Sequence, residues 1–116
     1  MSEDRDILVY LEDIVDAASK SKRFINNMDY AQFIDDDKTS FAVVRALEII
    51  DEAAKKVPDS VRYKYPEVPW RSMAGMRDKL IHNYTGVDWE VVWNTVQNDV
   101  PEIIDRINNI IDRISE

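Results

Sequence analysis

Apolar residues recur at helical spacing along almost the whole chain, and that pattern divides it into a few helices. Ile7, Leu8, Leu11, Ile14, Val15 and Ala18 form the stripe of a first helix predicted over 3–25, with Phe24 and Ile25 closing it and Asn26-Asn27 breaking it. A short helical turn is expected over 30–34, and the acids Asp35, Asp36 and Asp37 can cap the helix that follows. That next helix, over 39–56, is apolar around much of its circumference: Phe41, Val44 and Leu47 on one side, with Ala42, Val43, Ala46, Ile49, Ile50 and Ala53 extending the surface. Such a helix is buried on several sides, as the centre of a bundle or against a partner chain.

Pro58 ends it, and a connector with a turn at 60–64 leads to Pro69, which suits the first turn of a fourth helix running to about His82. Gly86 marks the next turn, and Asp88 caps a last long helix whose seam is Val92, Val96, Val100, Ile103, Ile107, Ile110 and Ile114. Pro101 must kink that helix or restart it, with Asp99 as N-cap. With two glycines and no sustained alternation of apolar and polar residues, little is left for a sheet. The expected fold is all-α: one domain over 1–116, an up-and-down bundle of four main helices plus short ones.

Composition narrows the chemistry. The absence of cysteine excludes disulfides, thiolate catalysis and cysteine-based metal centres. The acidic N-terminus has neither the basic nor the apolar region of a secretory signal, and no apolar run approaches the ~18 residues of a membrane span. A soluble, cytoplasmic protein with no membrane association is therefore expected. The net charge of −8 argues against a polyanionic partner, yet the charge is unevenly spread. From Arg45 to Lys79 there are eight basic residues against six acids, which leaves −10 for the remainder of the chain. The middle is the one net-basic stretch, whether as a ligand surface or as ordinary solvated variation.

The single histidine, His82, ends a stretch that gathers Arg77, Lys79, Asn83 and Tyr84. Arg77 and His82 are five positions apart, about 140° on an uninterrupted helix. The two converge only if the arginine wraps round, the helix loosens at His82, or a second chain completes the site. No metal-ligand spacing involves His82, and the glycine-rich phosphate loops are missing, so neither a metal site nor a bound cofactor is expected.

Arg77-x-x-x-x-His82-Asn83-Tyr84 resembles the R-x-x-x-x-H-x-Y signature of HEPN domains. The stretches from Ala46 to Ala54, Tyr65 to Arg71, Met73 to His82 and Trp93 to Pro101 resemble its HepT-like toxin branch, in order and over nearly the whole chain. Position 51 often holds glycine in that branch, and Asp51 departs from it in a way that bears on local packing.

The resemblance implies a homodimer whose two motifs face each other. It further implies metal-independent endoribonuclease activity within a type VII-like toxin–antitoxin pair, and a cognate minimal nucleotidyltransferase that transfers AMP to the motif tyrosine, here Tyr84. Arg77 and His82 would then be catalytic, with Asn83 and Tyr84 supporting them. Arg71 and Lys79, joined by Arg62 and Lys64, would line the RNA groove. Two other readings stand beside this one. The site holds a nucleotide without cleaving anything, as the regulatory partner of a nucleotidyltransferase, or the motif serves the fold alone. The tryptophans Trp70, Trp89 and Trp93 read as core or interface anchors rather than base-stacking platforms.

Overall fold

Three long helices carry the core. The computed structural model describes residues 2–82 and 86–115. α1 (Ser2–Phe24) packs along α3 (Asp37–Lys56) and along α8 (Val100–Ser115), the last helix. Leu11, Ile14, Leu47, Ile50, Ile103, Ile107 and Ile110 are fully buried among them. At ~25 cal/mol per Å² of apolar surface, this shared core is the main stabilising term of the fold.

Local chemistry sets the helix boundaries. α1 gives way at Asn27, whose φ of 66° lies in the left-handed region that asparagine tolerates. α2 (Tyr30–Asp35) begins with a capping box, in which the Asp29 carboxylate accepts from the Gln32 N–H and the Gln32 side chain accepts from the Asp29 N–H. Of the three consecutive acids, Asp36 is the one that caps α3, accepting from both the backbone N–H and the hydroxyl of Thr39. α3 ends at Val57 before Pro58, where Arg62 from the short helix α4 (Asp59–Lys64) donates to the carbonyls of Ala54 and Val57. Phe41, expected among the apolar positions of this helix, is 66% exposed instead.

The fourth main helix expected over 69–82 is replaced by two pieces, α5 (Trp70–Ala74) and α6 (Met76–Leu80), on either side of Gly75. In a continuous helix the Arg77 N–H would donate to the carbonyl four residues earlier. Here it donates to the carboxylate of Asp51, at 2.8 Å, from the middle of α3. Asp51 is 1% exposed and its other oxygen meets Lys55 at 2.8 Å. A buried acid on the core helix thus takes over a hydrogen bond the helix would have made for itself.

After Leu80 the chain is extended. Ile81–His82 (β1) pairs antiparallel with Gly86–Val87 (β2), in a register of Ile81 with Val87 and His82 with Gly86. This two-residue ladder is a departure from a purely helical fold. Gly86, at φ 91°, occupies backbone space that side-chain-bearing residues rarely adopt. Asp88 then caps α7 (Trp89–Asn94), as expected.

Pro101 does not restart the last element, and Asp99 is not its N-cap. The helix runs on through a π-turn, Thr95–Asp99, with the Val100 N–H donating to the Thr95 carbonyl, and Pro101 sits in the first turn of α8. Widening the turn just ahead of the proline relieves the clash its ring would make with the preceding carbonyls. The last helix is also tied to the connector, where the Arg106 guanidinium donates to the Glu67 carbonyl and pairs with Glu102. Among the described residues, no helix is long and apolar enough to cross a membrane.

Candidate active site

Arg77, Lys79 and His82 lie on one short segment, α6 and β1, and are all exposed at the surface. α6 is fixed underneath by Met76 and Leu80, both buried, and from the side by the Asp51 bond to Arg77. Lys55, paired with Asp51, is held above the ordinary lysine range, first by its hydrogen bond to that carboxylate and then by its charge. The backbone of Arg77 is therefore anchored while its side chain reaches solvent.

Each of the three side chains stands against a carboxylate from a different element. Arg77 Nε lies 3.7 Å from Glu48 Oε2 on α3, and Lys79 Nζ lies 3.8 Å from Asp99 Oδ2 in the π-turn. His82 Nε2 lies 3.5 Å from Asp88 Oδ2 at the start of α7. Exposed pairs this long contribute little to stability. They orient the three side chains while leaving them able to exchange a carboxylate for another anion.

Because α6 stops at Leu80, His82 is not on the helix that bears Arg77. Ile81 is extended, at φ −120° and ψ 122°, so the 140° separation expected on a continuous helix does not apply. The helix thus ends two residues before His82. On the far side of the site an aromatic cluster positions α7. Buried Phe33 packs against Trp89 and Trp93, with ring centroids 6.0 and 5.3 Å away, and Tyr30 meets Trp93 edge-on at 6.0 Å. Phe41 lies parallel to Trp89 at 6.1 Å. The Tyr30 phenol is pushed above its ordinary range, by burial first and then by the charges of Glu90 and Asp88.

The other predicted residues are placed differently. Arg71, on α5, lines a separate shallow groove of about 620 Å³ together with Arg62, Tyr63 and Trp70. Arg62 is engaged with the carbonyls at the end of α3, and Lys64 lies over the Tyr65 ring at 5.7 Å. Trp70 is a core residue, its indole N–H donating to the Tyr65 carbonyl at 2.9 Å. Asn83 and Tyr84 lie outside the described residues. Among the described residues, no three histidine, aspartate or glutamate side chains gather as a metal site would require.

Sequence reasoning passed over the acids. Asp88 reads from the sequence as a helix cap and nothing more, although its second oxygen faces the imidazole. Asp51 carried a visible signal: it is a lone acid on the buried arc between Leu47 and Ala54, with Lys55 four residues on.

Residues 14–110 match the family model described as Ribonuclease HepT-like. The chain is 51% identical over 94 residues to "Probable ribonuclease HepT" of Thermococcus cleftensis, covering 81% of this chain and 86% of that one. It is 47% identical over 107 residues to "Putative RNase MJ1216" of Methanocaldococcus jannaschii, covering 92% and 88% of the two chains. A second protein of that organism, "Putative RNase MJ0125", is 45% identical over 112 residues, 97% of each chain. No solved structure matches.

Proposed function

The chain belongs to the HepT-like ribonuclease family, and from that premise we propose that it is a metal-independent endoribonuclease acting as a homodimer. The observation that carries this reading is the presentation of Arg77, Lys79 and His82 from one anchored segment, each loosely held by a carboxylate at 3.5–3.8 Å. A phosphate of RNA exchanges for those carboxylates, and affinity rests on the same cations.

Cleavage without a metal ion requires three services. The ribose 2′-hydroxyl must lose its proton, charge growing on the phosphoryl oxygens must be balanced, and the departing 5′-oxygen must be protonated. One chain offers one imidazole, so His82 serves as base and His82 of the partner subunit as acid, each such transfer being worth about 10²–10⁴ in rate. Arg77, permanently charged and forked, holds the phosphoryl oxygens. Lys79 and Arg71 bind flanking phosphates, Asn83 contacts the base or the phosphate, and Tyr84 orients His82 or the phosphate. The bond from O2′ to phosphorus forms as the bond to O5′ breaks.

The chain is the single-domain toxin of a type VII-like toxin–antitoxin pair. Its cognate minimal nucleotidyltransferase neutralises it by transferring AMP to Tyr84, which puts a bulky anion among the cations that receive RNA. Co-expression with that enzyme is expected to add the mass of one AMP, and Tyr84→Phe to prevent it.

The deciding experiment is cleavage of labelled RNA in EDTA by the purified, unmodified dimer, beside His82→Ala and Arg77→Ala. Wild type cleaves and both variants lose at least ~10²-fold in rate. Intact RNA across several sequences, from a folded dimer, refutes the nuclease reading. A second reading draws on the acids that accompany every cation of the site and on the net charge of −8: a nucleotide-binding subunit that cleaves nothing. In that case His82→Ala abolishes nucleotide binding and there is no activity to lose.

A further inference from the structure

The solvent-facing stripe of α3 carries Phe41, Arg45, Glu48, Glu52 and Lys55, whose spacings of three and four residues set them on one side of the helix. Phe41 is 66% exposed; of the exposed large hydrophobic side chains among the described residues, only Tyr63, in the separate groove beside Arg71, is more so. Its ring is nonetheless held. Trp89 lies parallel to it, within 5° and with centroids 6.1 Å apart, and Phe33 packs edge-on against Trp89 from the core. Trp89 directly follows Asp88, whose carboxylate stands 3.5 Å from His82. Arg77 reaches the same stripe from α6 at Glu48, about two turns or ~10 Å along the helix from Phe41. An oriented aromatic face is thus exposed at the rim of the site, with Arg45 on the stripe between it and Arg77.

We propose that Phe41, backed by Trp89, is a stacking platform for one base of single-stranded RNA next to the cleaved linkage, with Arg45 on the phosphate between that base and Arg77. The inference rests on the ribonuclease reading for the identity of its ligand. Arg77 is accompanied by Glu48, Arg45 meets Glu52 at 3.1 Å, and the whole chain carries −8, so charge alone draws a polyanion weakly. A flat apolar ring supplies what the paired cations do not, since every base has a π-face and stacking needs no counter-charge. Because Trp89 already orients the ring, little side-chain freedom is lost when a base settles on it. Bases inside a duplex are stacked on both faces, so the platform selects an unpaired strand and tolerates its sequence.

The test separates binding from cleavage. A labelled single-stranded 2′-O-methyl oligonucleotide has no 2′-hydroxyl to give up, so its affinity is read by fluorescence anisotropy without turnover. An abasic oligonucleotide of the same length and charge is the second probe. The proteins are wild type, Phe41→Ala, Phe41→Leu and Phe41→Trp. Leucine keeps an apolar side chain and removes the π-face, whereas tryptophan keeps the π-face. Sedimentation velocity on the same samples reports the oligomeric state.

Phe41→Ala and Phe41→Leu are expected to weaken binding of the base-bearing oligonucleotide by roughly 5–150-fold, the effect of losing one stacked base, while Phe41→Trp binds as wild type does. The abasic probe should bind all four proteins alike. Equal affinity of wild type and Phe41→Ala for the base-bearing probe overturns the proposal, as does wild-type affinity in Phe41→Leu or no binding by wild type. A change of oligomeric state in Phe41→Ala also overturns it, because the ring is then covered by a second copy of the chain. If the affinities follow the expected order and wild type cleaves no ordinary RNA, the nuclease reading fails and the platform stands.

Discussion

Replacing Asp51 with alanine tests how the core helix holds the site. The carboxylate is 1% exposed, accepts from the Arg77 N–H at 2.8 Å and meets Lys55 at 2.8 Å. A hydrogen bond to a charged group contributes about 1.5–3 kcal/mol. Removing it leaves the first turn of α6 without an acceptor for that N–H. Two effects work in the opposite direction or add little. Alanine also removes the desolvation cost of a buried carboxylate, and the Lys55 end of the ion pair is exposed and screened by solvent.

The net expectation is a loss of about 1–2 kcal/mol, in line with removal of a helix cap. At roughly 4 °C per kcal/mol for a chain of this length, the melting temperature falls by about 4–8 °C. The local effect is more diagnostic. Protection of the Arg77 amide against hydrogen exchange should drop by roughly 5–30-fold, with amides of α1 and α8 following only the global change. An Arg77 amide that exchanges at the wild-type rate in Asp51→Ala, with unchanged melting, would show that the carboxylate is not the acceptor that holds α6.

Two further expectations concern the scaffold. The Asp36 carboxyl is held below its ordinary value of 3.8, first by the Thr39 N–H and then by the Thr39 hydroxyl. Its contribution is complete above that value and is lost as pH falls through the depressed value of the folded state. Asp36→Asn keeps the cap and does not titrate, so wild type should lose stability relative to it on acidification; parallel acid-unfolding curves would contradict this. Phe33 and Phe41 belong to the same aromatic cluster, at 0% and 66% exposure. Phe33→Ala should cost about 3–5 kcal/mol and Phe41→Ala under ~1 kcal/mol, measured from urea midpoints at constant slope.

The long helices could be read from the sequence because their stripes are set by local periodicity. Ile7 to Ala18 and Val92 to Ile114 repeat at spacings that only a helix satisfies, and the caps at Asp36 and Asp88 are local in sequence. What escaped reading depends on contacts between distant residues. Between residues 69 and 82 Gly75 permits the helix to divide, but the acceptor that takes the Arg77 N–H is Asp51, 26 positions away. The ladder that draws His82 out of the helix is equally hidden, since two residues on each side are too few for any alternation to register. For the site, residue types disclosed the cations but not their companions. Glu48, Asp99 and Asp88 look like solvated acids in sequence and become neighbours of Arg77, Lys79 and His82 only through packing. Phe41 erred in the other direction: its spacing suits the stripe, yet it lies on the solvent side of α3 with Trp89 as its cover.

The π-turn before Pro101 holds one residue more than an α-helix would use for the same stretch, and each residue of a helix corresponds to about 100° of rotation. The wide turn absorbs that extra residue, so α8, which is fixed by its packing on α1, and α7, which presents Asp88 to His82, keep about the relative rotation of an unbroken α-helix. Deleting one residue from 95–99 would close the turn to ordinary winding and leave both helices seated, whereas inserting one more, with no second wide turn to take it up, would swing α7 through about a quarter of a circle. The angular setting of Asp88 over the imidazole is thus buffered some ten residues downstream against the loss of a residue and open to the gain of one.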